Sequence, residues 1–410
     1  MTVVVLGGGP AGLAAALELR RRDTYDVLLV EREPALGGIP RHACHQGFGL
    51  RDLRRPLTGP AYARRYAELA AEAGAELRTE TMVTGWSPGG PLELTGPRGR
   101  ETIQPDALIL ATGCRERPRS ARLVPGSRPD GVMTTGTLQQ LVYLEERQVG
   151  RRALVVGAEH VSFSALLTLR HGGASAVGMV TELPRHQSLA LFRAGAALRW
   201  RTPVWTRTAL TAIHGRPRVE EVELTELDSG RTRGVACDTV VFTADWIPDH
   251  ELAVMGGLDM NPGTLGPMVD AALHTSRPGV FAAGNLLHGA ETADVAALSG
   301  RHAAAGAAAF VRGGASPKHV VSIECEPPLH WISPNAVSPS AGPPPRGRFA
   351  LRSREFARRP RVELVQDAST LWSGRVARLT PGRSARLPHA WTEAVDPSGG
   401  PVRVRVVGRG

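Results

Sequence analysis

The stretch Val3–Gly12, VVVLGGGPAG, decides the fold. Its four apolar residues are typical of a buried strand. The glycine pattern G-x-G-x-x-G follows at once, and an Ala- and Leu-rich stretch typical of a helix comes after it. In this pattern Gly7 permits a tight turn, Gly9 lets the backbone approach a pyrophosphate, and Gly12 lets helix and strand pack closely. The N-terminus of such a helix offers free N–H groups and a partial positive charge to phosphate.

An acidic residue completes the pattern. Glu31 ends the next apolar run, Val27–Val30, and lies 19 positions after Gly12. A carboxylate at the end of this second strand can accept hydrogen bonds from the hydroxyls of a ribose. The order of strand, glycine turn, helix, strand and acid therefore predicts a dinucleotide-binding unit at the N-terminus.

Length and composition indicate a multidomain globular protein. The chain has 410 residues, of which 42% are hydrophobic and 21% charged. That length predicts two or three domains, and those fractions are ordinary for soluble proteins. No apolar run approaches the roughly 20 residues that a membrane helix needs. The N-terminus also lacks the basic leader of a signal peptide, so we expect a cytoplasmic protein with no membrane span.

The net charge of +10 does not indicate nucleic-acid binding. The basic residues are almost all arginine, Lys318 being the only lysine, and they are scattered along the chain. Scattered charge is typical of a solvated surface and not of a surface that follows phosphates. We therefore expect no nucleic-acid partner.

The four cysteines are far apart in the sequence. Cys44, Cys114, Cys237 and Cys325 form no C-x-x-C or C-x4-C pair. Their spacing therefore encodes neither an iron–sulfur cluster nor a local redox disulfide, and no metal site is predicted.

Two further regions follow the N-terminal unit. A second strand–turn–helix–strand pattern opens near Arg151, and an Ala-rich helix is predicted at about Thr292–Val311. After Gly313 come many prolines and then short alternating runs typical of strands. The chain is therefore expected to end in a small β-rich domain over residues 313–410.

Four sequence blocks together resemble one flavoprotein superfamily. They are Gly7–Gly12 with Glu31, Leu36–Gly38 (LGG), Ala111–Gly113 (ATG) and Thr275–Asn285 (TSRPGVFAAGN). This combination resembles the two-dinucleotide-binding flavoproteins of the pyridine nucleotide–disulfide oxidoreductase fold. The resemblance implies an α/β protein that binds FAD, with two Rossmann-like domains. The implied division is a discontinuous FAD domain (1–113 and 246–312), an inserted NAD(P)-binding-like domain (114–245) and the β-rich domain (313–410).

The resemblance also implies which residues hold FAD. They are Gly7, Gly9, Pro10, Ala11, Gly12, Glu31, Arg32, Gly38, Ile39, Val83, Ala111, Thr112, Gly113, Gly284, Asn285, Thr292 and Ala293. In this fold an aspartate normally stands where the chain has Asn285. The amide oxygen of Asn285 can still accept a hydrogen bond from a hydroxyl. The loss of the aspartate charge would also reduce repulsion with the FAD phosphates. The alternative is that the substitution is neutral sequence drift without a functional role. We expect the N-terminus of the helix, at Thr292–Asp294, to stabilise negative charge on the reduced flavin.

Further segments are similar to one branch of that superfamily. They are Gly37–Gly49 (GGIPRHACHQGFG), Leu57–Arg64 (LTGPAYAR) and Asn285–Gly300. The branch contains flavin subunits similar to the sarcosine oxidase alpha subunit, dye-linked L-proline dehydrogenase, opine oxidase and hydrogen cyanide synthase. Such proteins oxidise small amines or amino acids, often within hetero-oligomers. The chain lacks the cysteine cluster with which many of them bind an iron–sulfur centre.

Candidate catalytic residues follow the Gly37–Gly38 turn, where the resembling fold places side chains beside the flavin. His42 or His45 could be a general base, and Arg41 could bind a substrate carboxylate bidentately. The alternative is that the histidines orient FAD or bond loop carbonyls. Cys44 is disfavoured as a nucleophile because no partner cysteine lies in the loop.

The second glycine turn departs from the nucleotide-binding pattern. It reads Gly157–Ser162, GAEHVS, with Glu159 in place of the glycine that lets a pyrophosphate approach and Ser162 in place of the packing residue. Bulk and charge repulsion both oppose NAD(P) binding there. Glu182 ends the next strand, where an acid could hold a ribose, but without an intact turn we expect it to cap the strand.

The sequence therefore predicts an FAD-dependent oxidoreductase that takes a hydride from a small amine, amino acid or hydroxy acid onto flavin N5. Electrons would pass to O2, a dye-like acceptor or a partner oxidoreductase subunit. An NAD(P)H-dependent FAD reductase is one alternative. A non-catalytic FAD subunit of a hetero-oligomeric dehydrogenase, whose β-rich tail docks the catalytic partner, is another. The substrate, the electron acceptor and any oligomeric state stay open.

Overall fold

The computed structural model describes residues 1–22, 25–188, 201–314, 320–338 and 341–408. The chain forms two compact units. The first consists of Met1–Arg41, Gln46–Cys114 and Pro248–Gly410, and the second consists of His42–His45 and Arg115–Ile247. The β-rich residues after 313 thus belong to the same unit as the N-terminal glycine turn.

The N-terminal part of the first unit alternates strands and helices. Its elements are β1 (Thr2–Leu6), α1 (Pro10–Arg22), β2 (Asp26–Val30), β3 (Gln46–Phe48), β4 (Leu57–Thr58), α2 (Gly59–Glu72), β5 (Glu76–Arg78), β6 (Met82–Trp86), β7 (Leu92–Gly96), β8 (Gly99–Ile103) and β9 (Ala107–Leu110). The apolar run at residues 3–5 is fully buried in β1, as a central parallel strand requires. Helix α2 begins after Thr58, whose hydroxyl accepts a hydrogen bond from the N–H of Ala61.

A five-stranded parallel sheet brings the separate sequence blocks to one edge. Its order is β20-β9-β1-β2-β5, where β20 is Val280–Ala282. Leu6 at the end of β1 lies opposite Val30 of β2 and Leu110 of β9. Since parallel strands end at the same edge of a sheet, the glycine turn, Glu31 and Ala111 lie together at that edge.

The second unit contains another parallel sheet. Its elements are β10 (Cys114–Glu116), β11 (Val132–Thr134), α3 (Thr135–Tyr143), β12 (Arg152–Val156), α4 (His160–His171), β13 (Ser175–Val180), β14 (Val204–Trp205), β15 (Thr208–His214), β16 (Glu221–Glu226), β17 (Thr232–Ala236), β18 (Thr239–Phe242) and β19 (Trp246–Pro248). The chain passes between the units within β10 and β19. The parallel strands are ordered β11-β18-β12-β13-β14, and β15, β16 and β17 form an antiparallel sheet.

The C-terminal part of the first unit completes the N-terminal sheet and then becomes β-rich. Its elements are α5 (Glu251–Met255), β20, α6 (Ala293–Val311), β21 (Val321–Cys325), β22 (Leu329–Ser333), β23 (Ala336–Val337), β24 (Phe349–Ser353), β25 (Ala357–Arg358), β26 (Arg361–Gln366), β27 (Ser369–Arg375), β28 (Arg378–Leu379), β29 (Ala385–Leu387) and β30 (Val402–Val407). Helix α6 packs closely on α1, because a Cβ on Gly300 would collide with the backbone of Ala11.

Two larger sheets form the β-rich part. One is ordered β23-β21-β30-β26-β27, and the other is ordered β22-β24-β29. Their inward side chains form a separate apolar core that includes Phe349, Leu364 and Val402, all fully buried. Two parallel α/β sheets and a β-rich C-terminal part confirm the predicted fold class; the predicted domain boundaries stay a prediction. Within the described ranges, no helix is both long enough and apolar enough to cross a membrane.

Candidate functional site

The first glycine turn is closed on one side and open on the other. A Cβ on Gly12 would collide with the carbonyl oxygen of Gly7, so helix and turn are packed as the pattern predicts. At Gly9, by contrast, no described atom lies within 4 Å of the position that a Cβ would take. Helix α1 starts at Pro10, which has no N–H to leave unpaired. The backbone at Gly9 therefore offers the open approach that a pyrophosphate needs.

Glu31 holds the turn from the neighbouring strand. Its side chain is buried, with 8% of its surface exposed. One carboxylate oxygen accepts a hydrogen bond from the N–H of Gly8 at 2.7 Å, and the other accepts one from the N–H of Glu33 at 2.8 Å. Each oxygen keeps a further lone pair, so the carboxylate can still accept hydrogen bonds from a ribose. The open glycine face and this acid fit an FAD molecule at the predicted place.

Asp249 joins several predicted cofactor residues, although the sequence did not indicate it. Its carbonyl oxygen accepts a hydrogen bond from the hydroxyl of Thr112 at 2.7 Å, and its N–H donates to the carbonyl of Gly113 at 2.9 Å. Its carboxylate lies 3.7 Å from Arg32 Nη2. These contacts fix the loop that follows β9.

The other predicted residues of the N-terminal part differ in exposure. Gly38 lies beside the glycine turn, since a Cβ there would be 3.0 Å from Gly9 Cα. Ile39 is 51% exposed, which is unusual for a large apolar side chain, whereas Val83 is buried in β6 opposite Leu94.

Asn285 makes a two-point contact with the backbone of Glu291. Its Oδ1 accepts a hydrogen bond from the Glu291 N–H at 2.9 Å, and its Nδ2 donates to the Glu291 carbonyl at 3.2 Å. An ionised aspartate could not make the second bond because it has no donor. The amide thus closes the loop before α6, and Oδ1 keeps one lone pair for a ligand hydroxyl.

The N-terminus of α6 carries an internal ion pair. Asp294 is 3% exposed and accepts hydrogen bonds from the Val295 N–H at 3.0 Å and from the hydroxyl of Thr292. Arg51 Nη1 lies 3.0 Å from one Asp294 oxygen and 3.1 Å from the other. The acid offsets the partial positive charge of the helix end. Arg51, whose side chain is 51% exposed, is the cation that pairs with Asp294.

A buried cluster next to this helix end was not predicted. The hydroxyls of Tyr62 and Tyr66 donate to one oxygen of Asp52 at 2.6 and 2.8 Å, and Arg301 Nη2 donates to the Tyr66 oxygen at 3.0 Å. Burial is the main cause that raises the pKa of both tyrosines, so both phenols stay protonated donors. The four-residue spacing of two tyrosines on one helix could have indicated a shared partner.

The candidate catalytic residues divide between the two units. Arg41 belongs to the first unit and donates to the carbonyl of Ala35 at 2.9 Å. His42 and His45 belong to the second unit. His42 is 3% exposed, and its Nδ1 lies 3.3 Å from the amide oxygen of Gln139.

Cys44 does not have the properties of an activated nucleophile. It is a free, exposed cysteine. Partial desolvation raises the pKa of its thiol, whereas a reactive thiolate needs a lowered pKa. In the part of the chain that the structure describes, no group of three or more His, Cys, Asp or Glu side chains could hold a metal ion.

In the second unit, the side chain of Glu159 folds back into the glycine turn of which it is part. Its side chain is 7% exposed, and its carboxylate accepts hydrogen bonds from the N–H of Ala158 at 2.9 Å and from the hydroxyl of Ser162 at 2.7 Å. The hydroxyl of Thr243 donates to the same carboxylate. Ser162 Oγ in turn accepts a hydrogen bond from the Glu159 N–H at 3.2 Å, which completes a capping box at the start of α4. A carboxylate thus lies at the helix N-terminus, where a pyrophosphate would bind.

A second acid lies near this turn. Glu116 accepts a hydrogen bond from the Gly136 N–H at 2.8 Å, and its Oε1 has no hydrogen-bond partner among the described residues. Burial, with a smaller contribution from the charge of Glu159, raises the pKa of Glu116 to about 7. Glu182, the acid that follows β13, is exposed.

Comparison with known proteins identifies the family. The model for "Pyridine nucleotide-disulphide oxidoreductase" matches residues 1–300. A thioredoxin reductase from Treponema pallidum is 28% identical over 295 residues, which cover 69% of this chain and 88% of the relative. The hydrogen cyanide synthase subunit HcnB from Pseudomonas protegens is 27% identical over 341 residues, which cover 73% of this chain and 69% of the relative.

A solved structure supports the same fold. The T. acidophilum thioredoxin reductase is similar with a TM-score of 0.63 at 20% identity, covering 76% of this chain and 98% of that one. The family match spans most of the chain, and the glycine turn with Glu31 fits the cofactor. The chain therefore belongs to the pyridine nucleotide–disulphide oxidoreductase family and is an FAD-dependent oxidoreductase.

Proposed function

We propose that the protein oxidises a small amine, amino acid or hydroxy acid and does not take its electrons from NAD(P)H. Bound FAD supplies the hydride acceptor for such a reaction. The observation that supports the proposal best is the buried carboxylate of Glu159 at the N-terminus of α4.

The filled turn disfavours a nicotinamide dinucleotide on two counts. A diphosphate would have to displace a carboxylate that already accepts hydrogen bonds from the Ala158 N–H and the Ser162 hydroxyl. It would also meet a like charge in a poorly screened place. Two unit charges 4 Å apart repel by about 4 kcal/mol at an effective dielectric constant of about 20, which weakens binding by roughly a thousandfold.

The two glycine turns differ in the place of their acids. Glu31 lies at the end of the neighbouring strand, at the expected ribose position, and leaves the Gly9 face open. Glu159 lies within its turn, at the expected phosphate position. This difference supports one dinucleotide per chain, the FAD.

The similarity to thioredoxin reductases does not indicate that this protein catalyses a dithiol reaction. Thioredoxin-type redox motifs need two cysteines in a C-x-x-C arrangement. The sequence contains no such pair, and Cys44, Cys114, Cys237 and Cys325 are free. The HcnB relative carries the word subunit in its name. We accordingly propose a partner subunit or acceptor protein for this chain.

The proposed catalytic residues lie in the loop after Gly38. We propose Arg41 as a carboxylate ligand and His42 or His45 as the base that takes a proton from the substrate. The burial of His42 and its contact with Gln139 also suit the alternative structural role, so His45, which is half-buried, is the better base candidate.

The test is anaerobic reduction of the purified FAD-loaded protein. NADH and NADPH should leave the visible flavin band unchanged, whereas one member of a panel of amines, amino acids and hydroxy acids should bleach it. Rapid bleaching by NADH or NADPH would reject the proposal. The apoprotein, which should show no change with any compound, is the control.

A further inference from the structure

A cavity of about 80 Å3 lies within the first unit, beside the start of α6. Part of its wall comes from the loop before α6, through Asn285, His288 and Glu291. The β-rich part supplies three exposed residues, Arg346, Arg348 and Arg386, to the same wall. We call this space the arginine cavity. Its volume is several times the roughly 10–15 Å3 that one water needs, so it suits a small organic group.

Positive charge is in excess in the arginine cavity. The three arginines share the wall with a single acid, Glu291. Desolvation, followed by the charges of Arg386 and Arg51, lowers the pKa of Arg346, while the charges of Asp294 and Glu291 oppose this with smaller contributions. These guanidinium groups are therefore close enough to repel one another. An anion placed among them would relieve that repulsion.

His288 adds an unsatisfied polar atom to the wall. The side chain is 7% exposed, and its ring stacks on Trp331 with centroids 4.4 Å apart. Its Nδ1 has no hydrogen-bond partner among the described residues. Burial is the main cause that lowers the pKa of His288 to about 4, so the ring is neutral at neutral pH. A buried ring nitrogen without a partner is costly, and a ligand in the cavity would supply one.

The backbone holds Arg346 in an unfavourable conformation. Its φ of 60° and ψ of 21° lie in the left-handed region, which a non-glycine residue keeps only when its surroundings fix it. Here the N–H of Gly347 donates to the carbonyl of Pro344 at 2.8 Å, and His389 Nδ1 lies 3.0 Å from the Gly347 carbonyl oxygen. The loop that carries Arg346 is thus fixed before any ligand binds.

We propose that the arginine cavity binds the carboxylate of the substrate, with Arg346 and Arg386 facing the charge and His288 Nδ1 donating a hydrogen bond. The inference rests on the proposed function and narrows it: the substrate is a small amino acid or hydroxy acid and not a simple amine, and Arg346 and Arg386 bind its carboxylate in place of Arg41. It also gives the β-rich part a role in substrate recognition.

The test is calorimetric titration of the FAD-loaded protein with three probes of similar size. Propionate should bind, and propionamide and propylamine should bind at least ten times more weakly. Arg346→Gln and Arg386→Gln should each weaken propionate at least tenfold, with FAD content and thermal melting unchanged. Arg378→Gln, an exposed arginine of the same β-rich part, is the matched control and should bind propionate normally.

Several results would overturn the cavity assignment. They are equal binding of propionate and propionamide, unchanged propionate binding in both variants, and loss of FAD from Arg346→Gln, which would make the cavity part of the cofactor site. The proposed function fails separately. If propionate binds as expected but no amino acid or hydroxy acid bleaches the flavin, the anion site stands and the proposed reaction is wrong.

Discussion

The hydroxyl of Ser162 lies 2.7 Å from the carboxylate of Glu159 and 3.2 Å from the Glu159 backbone nitrogen. The two residues that break the second glycine pattern therefore form one reciprocal capping contact. Each supports the other: without the serine, the buried carboxylate loses a donor, and without the glutamate, the end of α4 loses its cap.

Restoring both residues together should restore nicotinamide binding. We expect the double variant Glu159→Gly with Ser162→Gly to bind NADH at least tenfold more tightly than the unaltered protein, because it removes the charge and reopens the turn. The upper limit is roughly a thousandfold, from the repulsion estimated above. Fluorescence titration with NADH measures the dissociation constant. Glu220→Gln, which removes an exposed acid of the same unit, should change nothing; unaltered NADH binding in the double variant would contradict this account.

Asn285→Asp should weaken FAD binding, even though aspartate is the usual residue of this fold. The change removes the donor to the Glu291 carbonyl. It also adds a charge near the predicted position of the cofactor phosphates. A lost hydrogen bond of this kind costs about 1–3 kcal/mol, or roughly five- to more than a hundredfold in affinity. Flavin fluorescence quenching on titration of the apoprotein measures it.

A second asparagine of the same unit provides the control. Among the residues that the structure describes, the Asn261 side chain bonds only through its Oδ1, which accepts hydrogen bonds from the N–H groups of Gly263 and Thr264 at 3.0 and 2.9 Å. Asn261→Asp keeps that acceptor, so FAD binding should be unchanged. Tighter FAD binding by Asn285→Asp would show that the hydrogen bonds between the Asn285 amide and Glu291 do not support FAD binding.

Arg51→Gln should make the flavin harder to reduce. The reduced cofactor gains negative charge, and Arg51 is the cation at the N-terminus of α6, where Asp294 offsets the helix end. Because the guanidinium is half-exposed, we expect a modest shift of about 30 mV to more negative potential, equivalent to about 1.4 kcal/mol for two electrons. Equilibration with a reference dye measures the potential. Arg55→Gln, an exposed neighbour, should leave it unchanged, and a shift to more positive potential would reverse the argument.

Glu116 should make stability depend on pH. Burial raises its folded-state pKa to about 7, above the ordinary value of 4.5. The folded state therefore binds more protons than the unfolded state between these values. This contribution to stability is complete below about pH 4.5 and is lost as the pH rises through about 7.

The upper limit of this effect is about 3.4 kcal/mol, from 1.36 kcal/mol per pKa unit. Urea unfolding at pH 5 and pH 8 measures it. Glu116→Gln should reduce the loss of stability between these two values, while Glu220→Gln should not. An equal pH dependence in the unaltered protein and Glu116→Gln would show that other groups, such as Asp270 with its raised pKa of about 6, cause it.

Local signals were enough to predict the fold class, and the close packing of Gly12 against Gly7 agrees with the first glycine pattern. The Ala-rich helix was predicted at about Thr292–Val311 and is found at Ala293–Val311. The sequence also predicts one continuous strand at Glu76–Val83, and this prediction was wrong. The segment is two strands in different sheets, β5 and β6, because Glu80 takes a left-handed φ of 51° and the N–H of Thr81 donates to the Glu31 carbonyl.

Contacts between distant positions could not be predicted from one sequence. The role of Asn285 depends on the backbone N–H and carbonyl of Glu291. Because nearly every residue type has the same backbone groups, the sequence does not indicate this contact. Asp249, the Asp52 cluster and the arginine cavity each combine residues from separate segments. The periodicity of hydrophobic residues and the residue types found in turns do not indicate which residues of separate segments come into contact.

The place of β20 in the sheet has a consequence for how the protein is made. This strand pairs with β9 at one edge, and α6 lies against α1, so the N-terminal glycine turn depends on partners that end at residue 311 of 410. During synthesis, the whole of Arg115–Ile247 leaves the ribosome before β20 and α6 do. We therefore expect cofactor capture to be a late event in biosynthesis, and we expect a chain truncated before β20 to carry the complete glycine motif without retaining flavin.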